Sequence, residues 1–204
     1  MSRVATQVLS TGTLAQSLAK PSRSMEWAKQ AGIVIGASLF VALCARVTIP
    51  LPFTPVPLTL QNFGVLAVGL MLGSRRGFAA LALYLAEGAA GLPVFNPAGL
   101  GGIAQIIGPT GGFLMAYPLV AFATGWVYEK FPARKAGRFA CAALSAVAGE
   151  LVLFAGGLGW LALETHSVAL AIRLGLYWFV FAEVIKVLMA AGVAGRWGKR
   201  SSQA

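Results

Sequence analysis

Gly91-Leu-Pro-Val-Phe95 and Gly108-Pro-Thr-Gly-Gly-Phe113 are glycine- and proline-rich segments in a chain that is otherwise strongly apolar. Irregular backbone is costly in hydrocarbon, because each unpaired N–H or C=O group there is penalised by several kcal/mol. Such backbone is tolerated at a membrane only where it is buried in protein or lines a polar cavity. The two segments, separated by an uncharged glycine-rich stretch, therefore predict a binding cavity near one membrane face.

Composition indicates an integral membrane protein. Hydrophobic residues make up 58% of the 204 residues and charged residues only 11%, whereas a soluble domain carries about 25% charged residues. The length fits one domain of about six spanning helices with short connections. A net charge of +10 would suggest nucleic-acid binding in a soluble protein, but here the basic residues indicate orientation, and we predict no nucleic-acid partner.

Apolar runs of spanning length predict an all-α protein of six transmembrane helices, with irregular outer loops that cap the cavity. We place these helices near residues 27–48, 58–73, 77–92, 112–130, 138–160 and 168–194. The second and third are short, so they are either tilted or completed by non-helical chain buried in the bundle.

The distribution of lysine and arginine predicts the orientation. Of the 16 basic residues, 13 lie on one side of the predicted bundle. They lie in or before the first turn of the first helix, after the sixth helix, and at the connections from the second helix to the third and from the fourth to the fifth. The positive-inside rule makes that side cytoplasmic, with both termini inside, and indicates the inner (cytoplasmic) membrane. The outer loops are then residues 48–57, 92–111 and 161–167. The predicted division is a polar tail over 1–26, a membrane domain over 27–195 and a basic tail over 196–204.

Five motifs follow one another along the chain. They are Ile49-Pro-Leu-Pro-Phe-Thr-Pro-Val-Pro-Leu-Thr-Leu-Gln61, Gly73-Ser-Arg-Arg-Gly77, Tyr84-Leu-Ala-Glu-Gly88, Gly91-Leu-Pro-Val-Phe95 and Gly108-Pro-Thr-Gly-Gly112. In this order and spacing they resemble the BioY family, the biotin-specific substrate-binding (S) components of energy-coupling-factor (ECF) transporters. The resemblance covers roughly residues 30–195 and implies a six-helix protein that captures biotin from outside.

The resemblance also implies partners. These are a transmembrane T component and two cytoplasmic ATPase subunits. The chain has no Gly-x-x-x-x-Gly-Lys-Ser/Thr loop, so any ATP is bound by the partners. Family members also occur without dedicated partners, so self-association remains an alternative.

Glu183 and Lys186 are the leading candidates for the polar part of a biotin site. They lie three residues apart in the last apolar helix and so share one helical face. An isolated charge costs at least about 2.5–3.5 kcal/mol in hydrocarbon, whereas opposite charges at this spacing neutralise each other and can face a cavity. The family motif usually has Asp in place of Glu183, preceded by Pro-Gly where this chain has Phe181-Ala182.

The roles predicted for this pair differ. We expect Glu183 to accept hydrogen bonds from the ureido N–H groups of biotin. We expect Lys186 to donate to a ligand oxygen or to hold Glu183 in place. The alternatives are a buried ion pair that only orients helices and a lysine that snorkels to the membrane surface.

Uncharged side chains complete the predicted site, some as hydrogen-bonding groups and some as stacking surfaces for the apolar ring. They are Gln61, Asn96, Gln105, Tyr84 and Phe95. The alternatives are capping of broken backbone for the first, loop solvation for the next two, and packing in the core or against lipid for the aromatic pair. Two further acids, Glu87 and Glu150, lie in apolar helices and are either protonated or paired with another helix.

Ala28, Gly32 and Gly36 recur every four residues in the first helix. Such a small-residue ladder allows close helix approach in lipid. The resemblance implies that it docks on the T component, and the alternative is packing within the bundle.

Two other functions remain open. An S component for another vitamin, such as thiamine or riboflavin, is disfavoured by the motifs. A membrane-embedded enzyme would need a Ser–His or Cys–His arrangement or a metal cluster at membrane depth, yet the only histidine, His166, falls in an outer loop. We therefore predict no enzyme activity, no metal and no cofactor.

Overall fold

The computed structural model describes residues 23–131 and 133–197. Most of the predicted tails, 1–26 and 196–204, lies outside these residues. The described part holds eight helices and one short antiparallel strand pair. In chain order they are α1 (Arg23–Arg46), β1 (Thr48–Ile49), β2 (Leu58–Thr59), α2 (Gln61–Leu72), α3 (Ser74–Ala89), α4 (Gly102–Ile107), α5 (Gly111–Lys130), α6 (Ala133–Thr165), α7 (Val168–Gly175) and α8 (Val180–Trp197).

The chain divides within α1 into two units, Met1–Ile33 and Val34–Ala204. The described part of the first unit is the start of α1, where residues 23–29 are exposed. The second unit contains the remaining elements. All contacts described below lie within it.

Three helices are long and apolar enough to cross a membrane: α1, α5 and the part of α6 from Gly137 to Thr165. Together, α7 and α8 make a fourth candidate span, bent by 55° at their junction. The predicted helical membrane fold is thus confirmed, while the count of six spans and the cytoplasmic position of the termini remain predictions.

Two boundaries differ from the prediction for identifiable reasons. The second helix begins at Gln61 instead of residue 58, because Leu58 and Thr59 pair with Ile49 and Thr48 in the strand pair. The predicted helix over 168–194 is broken at residues 176–179. The N–H groups of Leu176 and Tyr177 both donate to the carbonyl of Ile172, so the α-helical ladder ends there and α8 starts in a new direction.

Four helices, α2, α5, α6 and α8, surround the centre of the second unit. Helix α5 packs against α2, α3 and α6, and α8 packs against α2 and α6. At Gly112 the α5–α6 contact has no room for a side chain: a Cβ added there would lie 2.5 Å from the carbonyl oxygen of Gly156. Small residues at such crossings let helix backbones approach closely.

Candidate functional site

Glu183 and Lys186 form a buried ion pair at the start of α8, with Lys186 Nζ 2.6 Å from Glu183 Oε1. The break before Val180 puts Glu183 in the first turn of the helix. A carboxylate there is stabilised by the positive end of the helix dipole. Although Phe181-Ala182 stands where the resemblance would have Pro-Gly, the helix nevertheless begins three residues before Glu183, at Val180.

Asn62 of α2 joins this pair to a second acid. Its Nδ2 donates to Glu183 Oε2 and to Glu150 Oε1, both at 2.7 Å. All four side chains are buried. The sequence did not predict Asn62 as a site residue, and it left Glu150 without an assigned partner. The only signal for Asn62 was its place beside Gln61, as a polar pair at the start of an apolar helix.

Asn62, Glu183 and Lys186 line a cavity of about 520 Å³, its open mouth included. Of the predicted residues, Gln61, Asn96, Glu183 and Lys186 line it. The remaining lining is mostly apolar or aromatic and comprises Val56, Pro57, Thr59, Asn62, Thr110, Phe113, Leu114, Tyr117, Leu153, Phe154, Gly175 and Phe179.

Tyr84 and Phe95 lie behind the cavity wall and are not among its lining residues. Tyr84 Oη accepts a hydrogen bond from Gln61 Nε2 at 2.8 Å and donates to the carbonyl of Val94 at 3.0 Å. The rings of Tyr84 and Phe95 meet edge to face with centroids 5.4 Å apart. The structure therefore places both aromatics where they support Gln61, and it does not bring them to the cavity surface.

Gln105 lines a second cavity, beneath the 92–111 loop. This cavity shares Pro57, Asn96 and Thr110 with the first. Gln105 Oε1 accepts from the N–H of Gly101 at 3.1 Å, while Gln105 Nε2 and Asn96 Oδ1 are buried without a partner among the described residues. An unpaired buried polar group is destabilising by about 1–3 kcal/mol, so both atoms mark places for a ligand or for water.

The proline-rich 50–57 loop closes the first cavity on one side. Val56 and Pro57 line the cavity. Thr54 Oγ1 donates to the carbonyl of Leu174 at 2.7 Å, and the rings of Phe53 and Trp178 are 4.6 Å apart. The loop is thus attached to the α7–α8 corner that carries Glu183 into the cavity.

Ala28, Gly32 and Gly36 are all exposed. A Cβ at Gly32 or Gly36 would meet nothing within 4 Å. The opposite side of α1 is the buried one, where Ser38 Oγ donates to Glu87 Oε2 at 2.7 Å. Gly36, which belongs to the second unit, is therefore uncovered among the described residues of that unit, and Glu87 has a partner in α1.

Most of this chain is similar to known proteins. The BioY family matches residues 15–203 of the chain. "Biotin transporter BioY" of Thermotoga maritima is 39% identical over 164 residues, which is 80% of this chain and 94% of that protein. "Probable biotin transporter BioY" of Pyrococcus horikoshii is 38% identical over 171 residues, 83% of this chain and 96% of that one.

A solved structure has the same fold. It is the S-component for biotin from an ECF-type ABC transporter, with a TM-score of 0.76 at 23% identity over 87% of this chain and 94% of that one. At this identity the likeness shows the fold alone. Since the family match covers nearly the whole sequence and the curated relatives are matched over most of their length, this chain belongs to the BioY family.

Proposed function

We propose that this chain is the substrate-binding membrane component of a biotin transporter, which captures biotin outside the cell and delivers it inward. The main support is that Glu183, Lys186 and Asn96 line one cavity whose walls are otherwise largely aromatic and apolar. The two relatives described above are named as biotin transporters, which supports biotin as the ligand of this chain. The purified chain should bind biotin and should not bind thiamine or riboflavin. Binding of thiamine or riboflavin in place of biotin would contradict the assignment.

The chemistry of biotin matches this lining. Its ureido group has two N–H donors and one carbonyl acceptor beside an apolar fused ring. In our proposal the carboxylate of Glu183 accepts from the ureido N–H groups, and Lys186 donates to the ureido oxygen. Asn96 Oδ1, buried and unpaired, supplies a further acceptor, while Phe113 and Phe179 contact the ring.

The valerate arm fits the second cavity. Because the two cavities share lining residues, a ligand with its ureido group at Glu183 can extend its tail past Asn96 toward Gln105. Gln105 Nε2 is a buried donor without a partner among the described residues. A carboxylate is the acceptor that gains most from such a donor, and we assign Gln105 to the valerate carboxylate.

Gln105→Leu is expected to weaken biotin binding about tenfold or more, since a hydrogen bond to a charged group is worth about 1.5–3 kcal/mol. The same change should have little effect on binding of biotin methyl ester, which lacks the anionic acceptor. Calorimetry with both ligands measures the ratio of the affinity for biotin to the affinity for its methyl ester. Ile103→Leu, an exposed position on the same short helix, is the control. An unchanged preference for biotin over its ester in Gln105→Leu would place the carboxylate elsewhere.

The proposed setting is the inner (cytoplasmic) membrane, with both termini inside and both cavities opening outward. A cysteine at Ala98 should then react with an impermeant maleimide added to intact cells. A cysteine at Ala133 should react only after the cells are permeabilised. The reverse pattern would invert the orientation and put the cavities on the cytoplasmic side.

The proposed partners are a T component and two ATPase subunits. The ladder of Ala28, Gly32 and Gly36 is the proposed docking face, because it is exposed and offers backbone to a neighbouring helix. Self-association through the same face is the alternative for a chain that works without dedicated partners.

A further inference from the structure

Glu150 is a buried acid that the proposed contacts with biotin do not use. It lies in α6 and is only 8% exposed. Its Oε1 accepts from Asn62 Nδ2 at 2.7 Å, and its Oε2 is buried without a partner among the described residues. The same Asn62 nitrogen donates to Glu183 Oε2 at 2.7 Å. The two carboxylate oxygens are therefore separated by at most twice that distance, 5.4 Å.

The charges of this cluster do not balance if both acids are ionised. Among the described residues, the buried side chains of charged type are Glu150, Glu183 and Lys186, two acids and one base. Lys186 Nζ bonds to Glu183 Oε1. From the other helices that pack on α6, Asn62 of α2 and Tyr117 of α5 line the first cavity and bring no positive charge, and Arg173 of α7 is exposed.

A second unpaired carboxylate would be strongly unfavourable in this setting. A charge without a partner at membrane depth is expensive, and two carboxylates that share a site do not both ionise readily. Lys186 and the α8 helix dipole both favour the ionised form of Glu183. The cluster is neutral when Glu150 carries the proton on Oε2, which leaves Oε1 free to accept from Asn62.

We propose that Glu150 is a positioning residue of the ligand site and acts as a neutral carboxylic acid. It fixes the amide of Asn62, and Asn62 in turn fixes Glu183 Oε2 relative to Lys186. An ionised Glu150 would instead repel Glu183 and compete for Lys186. The inference rests on the proposed function, because Glu183 is taken there as a ligand-binding residue.

The test compares two replacements of Glu150 in the full-length chain in detergent. Glutamine keeps a carbonyl acceptor for Asn62 and places a neutral donor where the acid carries its proton. Leucine leaves an Asn62 N–H unpaired, which costs enough to weaken biotin binding about tenfold or more. We expect Glu150→Gln to bind biotin at least about fivefold more tightly than Glu150→Leu. Equal weakness of the two variants would overturn the neutral-acid assignment.

A spectroscopic readout keeps the inference testable if Glu150→Leu does not fold. At neutral pH, the infrared spectrum of the ligand-free wild type should contain the carbonyl stretch of a protonated carboxyl group. The wild-type minus Glu150→Gln difference spectrum should show its loss, and absence of that difference would overturn the proposal. Glu87→Gln, which removes an acid outside both cavities, is the control and should leave biotin binding unchanged. Since the band is measured without biotin, a wild type that showed it but failed to bind biotin would contradict only the proposed function.

Discussion

Glu183→Gln is expected to weaken biotin binding about tenfold or more while the protein remains folded in detergent. The amide keeps one carbonyl acceptor but loses the charge, and hydrogen bonds to charged groups are worth about 1.5–3 kcal/mol against about 0.5–1.5 for neutral ones. Lys186→Met is expected to have at least as large an effect. It leaves the buried Glu183 carboxylate without its positive counter-ion, and breaking a buried ion pair costs about 3–5 kcal/mol.

A joint replacement separates ligand contact from mutual neutralisation. A pair that served only to neutralise itself would tolerate Glu183→Leu with Lys186→Met better than either single change. Two ligand contacts instead leave the double variant at least as weak as the worse single one, and this is the outcome we expect. Calorimetry and thermal unfolding of each variant measure binding and folding separately. Glu164→Gln, at an exposed position, is the control; wild-type affinity in both single variants would remove the pair from the site.

The second large effect is expected on assembly. Gly32→Leu or Gly36→Leu should abolish recovery of a complex with the T component and the ATPases, and with it biotin uptake, while the isolated chain still binds biotin. The reason is that a side chain at either position has open space within the chain but would hold a partner helix away from the ladder. Co-purification, uptake in cells and binding in detergent measure the three quantities.

The chain offers a matched control for the ladder. Gly192 of α8 is also exposed, and a Cβ there would also meet nothing within 4 Å, so Gly192→Leu makes the same chemical change on another helix. It should leave assembly and uptake intact. Parallel loss of biotin binding and assembly in the ladder variants would show that the ladder packs the bundle, and normal assembly would exclude it as the docking face.

Sequence predicted the family, the helical membrane fold and several boundaries well. Helix α5, predicted over 112–130, runs from Gly111 to Lys130, because glycine and proline at its start and charged residues at its end mark both limits. The break between α7 and α8 was not predicted. The segment Gly175-Leu-Tyr-Trp-Phe179 is apolar throughout, so it carries no change of periodicity that would indicate the end of a helix.

The candidate site was partly predictable for the same kind of reason. The ion pair of Glu183 and Lys186 follows from local spacing within one helix, and the structure shows it. Asn62 was missed because its partners are 88 and 121 residues away along the chain, and only tertiary packing brings them together. Gln105, by contrast, was selected as a polar residue in an apolar span, and the structure adds an adjoining cavity whose use by the ligand remains a proposal.

The glycine contact between α5 and α6 has a consequence for selectivity. Phe113 follows Gly112 directly, and Phe154 lies two residues before Gly156, so the cavity lining on both helices is attached to the point where their backbones touch. A methyl group at either glycine would push the helices apart and change the width of the cavity in which we propose that the fused ring binds. If the ring binds there as proposed, discrimination by ligand size depends in part on residues that need not touch the ligand, and we expect Gly112→Ala or Gly156→Ala to change which ring systems fit.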